Sequence, residues 1–280
     1  MNIQETVTKA AKLLKESNIK TPHLDSELLL LKVINKDRKH ILLNSEKNLS
    51  GKYLRNFNNL IYRRKKGEPV AYLTNFKEFW KQKYFINKDV LIPRPDTEVL
   101  VEETLRLYHK GKKLNMLDIG TGSGCLLLSI LKERKNFLGT GVDISKKALN
   151  VARFNAKLQQ LSNRVKFYNS DIDKFLIGKY DLILSNPPYI KNFDLKYLER
   201  DVACYEPKIA LDGGSDGLSK ITKVISKASV LIKKNGKFML EIGCHQRNEI
   251  VNKLINKKFY INKIIKDYGK NDRCIVSTKV

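Results

Sequence analysis

Apolar and polar positions follow two rhythms along this chain. Up to about residue 75 they recur at helical spacing, as in Ile3, Val7, Ala10, Ala11 and Leu14. Thr21-Pro22 reads as an N-cap with proline in the first turn, leading into Asp25-Ser26-Glu27-Leu28-Leu29-Leu30-Leu31. Ser50-Gly51 opens another helix through Leu54, Phe57, Leu60 and Ile61, which Gly67 and Pro69 close. Residues 76–92 read as strand. Their aromatics Phe79, Trp80, Tyr84 and Phe85 precede the turn signal Asn87-Lys88-Asp89, so a hairpin is expected. From about residue 94 strands and helices alternate, which predicts a mostly parallel sheet. Residues 115–119 form a first buried strand, running into a glycine-rich loop and a helix over 125–133. Further strands are expected at 140–144, 165–168 and 180–185. The expected organisation is α/β: a helical N-terminal domain at 1–75, a hairpin linker at 76–93 and a catalytic domain at 94–280.

Composition narrows the class. The chain has 280 residues, 42% of them hydrophobic and 30% charged, as in a soluble globular protein with room for a full core and a small second domain. Its apolar runs are too short to span a bilayer. The first residues have no basic region ahead of an apolar core, so no secretory signal is expected and a cytoplasmic location is. Cys125, Cys204, Cys244 and Cys274 stand far apart, which suggests free thiols in a reducing compartment. Cys244-His245 lacks partners at metal-ligand spacing, so no metal is expected. The net charge of +25 is compatible with a nucleic-acid partner, but the lysines are scattered over the whole chain. The densest cluster, Arg63-Arg64-Lys65-Lys66, is a candidate partner surface or a solvated helix end.

The chemistry sits at the ends of the predicted strands. Asn186-Pro187-Pro188-Tyr189 follows the strand at 180–185. The Asn186 side-chain oxygen and the Pro187 carbonyl can each accept a hydrogen from one planar NH2 group, with the prolines stiffening the backbone. Tyr189 offers a ring for stacking. Two acceptors on one nitrogen favour its pyramidal, nucleophilic form. The same tetrapeptide is also ordinary turn chemistry. In Gly120-Thr121-Gly122-Ser123-Gly124 the glycines let backbone pass close under a ligand at a helix N-terminus. Cys125 stands where the dinucleotide fingerprint needs glycine, which weakens a nicotinamide or flavin reading. Asp143-Ile144 ends the second strand, placed to receive ribose hydroxyls, and Asp171-Ile172 follows the third, where it would face an adenine amino group. Each acid taken alone would serve equally well as a helix cap or turn.

Residues 118–124, Asp143 and Asn186-Pro187-Pro188-Tyr189 resemble the S-adenosylmethionine-dependent methyltransferases that act on exocyclic or amide nitrogen. Ile92-Pro93-Arg94-Pro95-Asp96-Thr97-Glu98, Glu206-Pro207, Glu241-Ile242-Gly243 with Gln246, and Asp267-Tyr268-Gly269 with Asn271-Asp272-Arg273 narrow the resemblance. They are similar to the peptide chain release factor glutamine N5-methyltransferase family (PrmC/HemK), over nearly the whole chain. That resemblance implies a Rossmann-like methyltransferase sheet with a small helical N-terminal domain that recognises the substrate. It also implies S-adenosyl-L-methionine as cofactor and class-one release factors as protein substrate, methylated on the glutamine of a Gly-Gly-Gln motif. Gly120, Thr121, Gly122, Ser123, Gly124, Asp143, Ile144, Asp171, Ile172 and Asn186 would then border the cofactor. Asn186, Pro187, Pro188 and Tyr189 would hold the substrate amide. The segment from Arg94 to Thr97 would close over the reacting end. Family members often carry an aromatic where Ile172 stands. The alternatives are an adenine-N6 nucleic-acid methyltransferase and a non-catalytic RNA- or ribosome-binding module.

Overall fold

The computed structural model describes all 280 residues and divides into two compact units. The first, Met1–Phe76 with Glu199–Tyr205, is helical. It contains α1 (Ile3–Lys15), α2 (Pro22–Ile34), α3 (Arg38–Leu43), α4 (Gly51–Lys65) and α5 (Val70–Thr74). Ile3, Val7, Ala10 and Leu14 bury the predicted face of α1 against Leu29, Leu30, Phe57 and Ile61. Asn2 and Glu5 form a reciprocal capping box at its start. Thr21 precedes α2 as expected but makes no cap; its hydroxyl donates instead to Asp25 Oδ1 at 2.8 Å. Asp25 is buried and also accepts from Arg64 Nε at 2.7 Å, so the middle of the basic cluster is a core ion pair and not surface. The segment Glu199–Tyr205, which lay inside the expected catalytic domain, groups with the helical unit. Tyr205 Oη donates there to the Lys66 carbonyl at 3.2 Å.

The second unit, Lys77–Leu198 with Glu206–Val280, is built on a seven-stranded sheet. It is preceded by a two-stranded ribbon, β1 (Phe76–Phe79) and β2 (Gln82–Phe85). The ribbon turns at Trp80 and Lys81, with φ of 45° and 62°, and not at Asn87-Lys88-Asp89. Left-handed backbone is uncommon for such residues. Here Trp80 is held by its backbone N–H on Glu98 Oε1 at 2.8 Å and its indole N–H on Glu133 Oε1 at 3.2 Å. Asn155 fixes the ribbon by donating to the Phe85 carbonyl and accepting from the Phe85 N–H.

The rest runs α6 (Glu98–Leu107), β3 (Leu114–Ile119), α7 (Cys125–Glu133), β4 (Phe137–Asp143), α8 (Lys146–Leu158), β5 (Val165–Asn169) and β6 (Tyr180–Ser185). After α9 (Arg200–Tyr205) come α10 (Ser219–Leu231), β7 (Ile232–Glu241), α11 (Arg247–Asn256), β8 (Phe259–Lys266) and β9 (Asp272–Lys279). The strand order is β5-β4-β3-β6-β7-β9-β8. The pairings through β7 are parallel, and the β8–β9 hairpin adds antiparallel strands at one edge. The middles of the central parallel strands are apolar and buried: Leu182, Ile183 and Leu184 of β6 are fully buried, as are Phe238, Met239 and Leu240 of β7. No helix is long and apolar enough to cross a membrane.

Candidate active site

The chain builds the sheet outward from β3 through β4 to β5, then returns to the other flank of β3 with β6 and β7. A crevice opens at the carboxyl ends of the strands where the order reverses. Register aligns the residues that emerge there. Ile119 lies beside both Val142 and Ser185, and Ser185 lies beside Leu240. Gly120, Asp143, Asn186 and Glu241 therefore leave the sheet as neighbours. A cavity of about 200 Å³ fills this crevice.

One wall comes from the glycine-rich loop. Gly120 has φ of +74°, and a Cβ there would meet nothing within 4 Å, so the loop leaves open space for a ligand against its backbone. Gly124 does different work: with φ of +79° at the start of α7, an added Cβ would stand 3.1 Å from Leu128 Cδ1. Its lack of a side chain allows helix packing, and it does not line the cavity. Thr121 and Ser123 do not line it either. The Thr121 hydroxyl donates to buried Asp118 at 2.7 Å, and the Ser123 carbonyl accepts from Asn155 at 2.9 Å. Burial pushes the Asp118 carboxyl up to about 7, against the pull of that hydroxyl.

Asp143 lines the cavity with both carboxylate oxygens already anchored. Oδ2 accepts from Gly122 N at 2.9 Å and Oδ1 from Ser145 N at 2.8 Å. Burial raises its pKa and these backbone N–H groups oppose the rise. Each oxygen keeps lone-pair capacity for a ligand hydroxyl. Asp171 also borders the cavity, with Oδ1 accepting from Asp173 N at 3.0 Å. Ile144 and Ile172 add apolar surface beside them. Val90, Leu91 and Ile209, which the sequence reading left unassigned, complete an apolar wall. They flank the Ile92–Glu98 and Glu206-Pro207 segments, and the fold brings them together.

The other wall carries Asn186, Pro187 and Pro188. Asn186 Nδ2 donates to Thr97 Oγ1 at 3.1 Å, which leaves the side-chain oxygen for a ligand. Thr97 ends the short helical turn Pro95–Thr97 and is buried. Tyr189 stands back from the cavity lining. Burial pushes its phenol up to about 12, and Arg273 Nη1 donates to its hydroxyl at 3.4 Å. Arg273 is itself held by Asp267 Oδ2, at 3.0 Å from Nε and 2.8 Å from Nη2, and donates to the Ile242 carbonyl at 3.2 Å. That gives the Asp267 to Arg273 segment a structural purpose: it braces the Tyr189 end of the motif. Glu206 is buried, pairs with Arg94 and accepts from Ile92 N at 3.0 Å, while Pro207 reaches the cavity wall.

A glycine floor, an anchored carboxylate with spare lone pairs and a narrow apolar slot suit a nucleoside carrying a polar tail. S-adenosylmethionine has that composition, and the residues present fit it. The comparisons with known proteins agree. Residues 5–74 match the PrmC N-terminal domain family, and residues 110–276 match a methyltransferase domain family. A release factor glutamine methyltransferase from Clostridium acetobutylicum is 36% identical, covering 100% of this chain and 99% of its own length. One from Buchnera aphidicola subsp. Schizaphis graminum is 37% identical, with both chains covered completely at 100%. A bifunctional methyltransferase from Rickettsia conorii is 31% identical over 100% of this chain, which spans 58% of that larger protein. Among solved structures, a methyltransferase from Pyrococcus furiosus aligns with a TM-score of 0.53 at 20% identity, over 70% of this chain and 88% of its own, and so shares the fold. The helical unit, the parallel sheet with its crevice and these full-length likenesses lead to one conclusion: the chain belongs to the release factor glutamine methyltransferase family.

Proposed function

We propose that this chain transfers the methyl group of S-adenosylmethionine to the side-chain amide nitrogen of the glutamine in the Gly-Gly-Gln motif of class-one release factors. One observation carries the reading most: Asn186 is held through Nδ2 on Thr97, at the mouth of the cavity and next to the Pro187 carbonyl. Asn186 Oδ1 and that carbonyl would accept the two hydrogens of the substrate amide. An amide nitrogen holds its lone pair in resonance, and paired acceptors favour the pyramidal form in which the lone pair is released. The glycine loop at Gly120 and Gly122 would pass under the methionine end of the cofactor. Asp143 would hold the ribose hydroxyls, and Asp171 with Ile172 would border the adenine. When bound, the cofactor supplies a methyl group on a sulfonium, already a strong electrophile. The protein's own contribution is then positioning. No strong base is needed, because the nitrogen becomes acidic once methylated. Tyr189 would border the amide from its braced position behind the two prolines. We assign recognition of the release factor's body to the helical unit, and a cytoplasmic location goes with this substrate.

Transfer of radiolabelled methyl from S-adenosylmethionine tests the reading. Label should appear in a purified class-one release factor and vanish when its Gly-Gly-Gln glutamine is replaced. Label in adenine-bearing nucleic acid, or in nothing, would reject it.

A further inference from the structure

Asn186 can grip an amide only if its oxygen, and not its NH2, faces the substrate. The two ends of a carboxamide have the same shape, so packing alone does not choose between them. The choice is made by what the buried end touches, and that is Thr97. A threonine hydroxyl is both donor and acceptor, so it would accommodate either orientation unless its single hydrogen is committed elsewhere.

Glu241 commits it. The parallel pairing of Ser185 with Leu240 places the next residues, Asn186 and Glu241, side by side where the two strands end. Glu241 is 2% exposed and Thr97 5% exposed. The Thr97 and Tyr189 hydroxyls lie near enough to the carboxylate to lower its pKa, and its Oε2 has no hydrogen-bond partner. An ionised carboxylate only accepts. An ionised, unpartnered Glu241 beside Thr97 therefore draws the hydroxyl hydrogen toward itself, and the Thr97 oxygen is left to accept from Asn186 Nδ2. We propose that Glu241, acting through Thr97, fixes the polarity of the Asn186 amide so that its oxygen faces the substrate nitrogen, making Glu241 and Thr97 positioning residues of the methyl-transfer site. This rests on the grip assigned to Asn186 above.

The arrangement is sensitive to the charge on Glu241. The groups facing it are Arg273 and Cys274 from β9, Asp96 from the turn before α6, Tyr189 after β6 and Cys125 at the start of α7. Burial pushes the Glu241 carboxyl up to about 7; Thr97, Arg273 and Tyr189 pull it down and Asp96 raises it. Once protonated, Glu241 can itself donate to Thr97, and the direction of the relay is lost.

The test measures kcat at saturating substrates from pH 6 to 8, with the full-length protein, a purified class-one release factor and labelled S-adenosylmethionine. Cofactor affinity is followed by calorimetry. In the unmodified protein kcat should rise about tenfold over this range, following the ionised fraction of one acid. Thr97→Val should lower kcat at pH 8 by about 100-fold and flatten its pH dependence, with cofactor affinity unchanged. Thr97→Ser, which keeps the hydroxyl, should restore both rate and slope. Glu241→Gln should remove the pH dependence and slow the reaction. Thr97→Val within threefold of the unmodified rate, or an undiminished pH rise in Glu241→Gln, would overturn the relay. If the unmodified protein labels adenine instead, the substrate assignment fails but the relay does not. The same variants are then compared on that acceptor, whose planar NH2 makes the same demand on Asn186. Labelling of no acceptor would reject both.

Discussion

Replacing Glu241 by glutamine should make the protein more stable and less active, and the stability half can be worked out from the structure. Burial raises the carboxyl from an ordinary 4.5 to about 7 in the folded protein, despite Arg273 and the two hydroxyls. Between those values the folded state holds a proton that the unfolded state has lost. The contribution of Glu241 to stability is therefore fully present below pH 4.5, declines as pH rises, and has gone above pH 7. At pH 8 the buried charge costs about 3 kcal/mol relative to the protonated form, at about 1.4 kcal/mol per unit. Glutamine has nearly the same shape and carries no charge. At pH 8 Glu241→Gln should melt several degrees higher, at about 2–4 °C per kcal/mol for a unit of this size. The gap should close as pH falls from 7 to 5. Differential scanning calorimetry across that range reads both the sign and the slope. Equal or lower stability of the variant at pH 8 would show that Glu241 is a net structural support, and would remove the reason for calling its burial a functional cost.

Other substitutions separate the parts of the site. Asn186→Ala should lower kcat by about 10²–10³-fold while calorimetric affinity for S-adenosylmethionine stays within twofold; normal turnover would dismiss the proposed grip. Asp143→Ala removes the acceptor that anchors Gly122 and Ser145, and cofactor affinity should fall by about 10–100-fold, at about 1.5–3 kcal/mol for a charged hydrogen bond. In the helical unit, Arg64→Leu leaves Asp25 buried without its partner and should cost about 3–5 kcal/mol in urea unfolding; a loss below 1 kcal/mol would mean that Asp25 finds water or another donor.

How far the sequence carried this structure depended on the distance over which each feature is decided. The strand expected at 180–185 and the helix expected at 125–133 match β6 and α7, because a run of apolar residues bounded by polar ones encodes a buried segment locally. The ribbon turn was missed because no turn-forming residue marks it. Trp80 and Lys81 adopt left-handed backbone on the strength of Glu98 and Glu133, which lie 18 and 53 residues further on. Thr21 looked like a cap and gave its hydroxyl to Asp25 instead. Asp143, Asp171 and Asn186 were legible as candidates, since strand ends in a parallel sheet are where ligands bind. The partner that orients Asn186 was not, because Thr97 is 89 residues away in the chain. Ile172 is aliphatic, and Val90, Leu91 and Ile209, from separate parts of the chain, complete the apolar slot.

The hydrogen-bond accounts of the buried acidic and amide groups separate scaffold from working parts. Asp118 has the Thr121 hydroxyl, and Asp143 has two backbone N–H groups, so both are held whether or not a ligand is present. Asn186 spends its NH2 on Thr97 and keeps its oxygen uncommitted, and Glu241 is left with an oxygen that nothing satisfies. A buried acceptor without a donor is unfavourable in isolation. It persists in a well-packed core only where the surroundings over-determine it or where function uses it. Glu241 stands on the strand end beside half-buried Asn186, which lines the crevice where the sheet order reverses, while the other buried acid oxygen without a partner, on Glu27, belongs to the helical unit. A stable core alone would favour an apolar residue at Glu241. A site that must hold two hydrogens of a neutral amide needs its acceptors empty beforehand, and a neighbouring negative charge keeps the nearer one turned the right way.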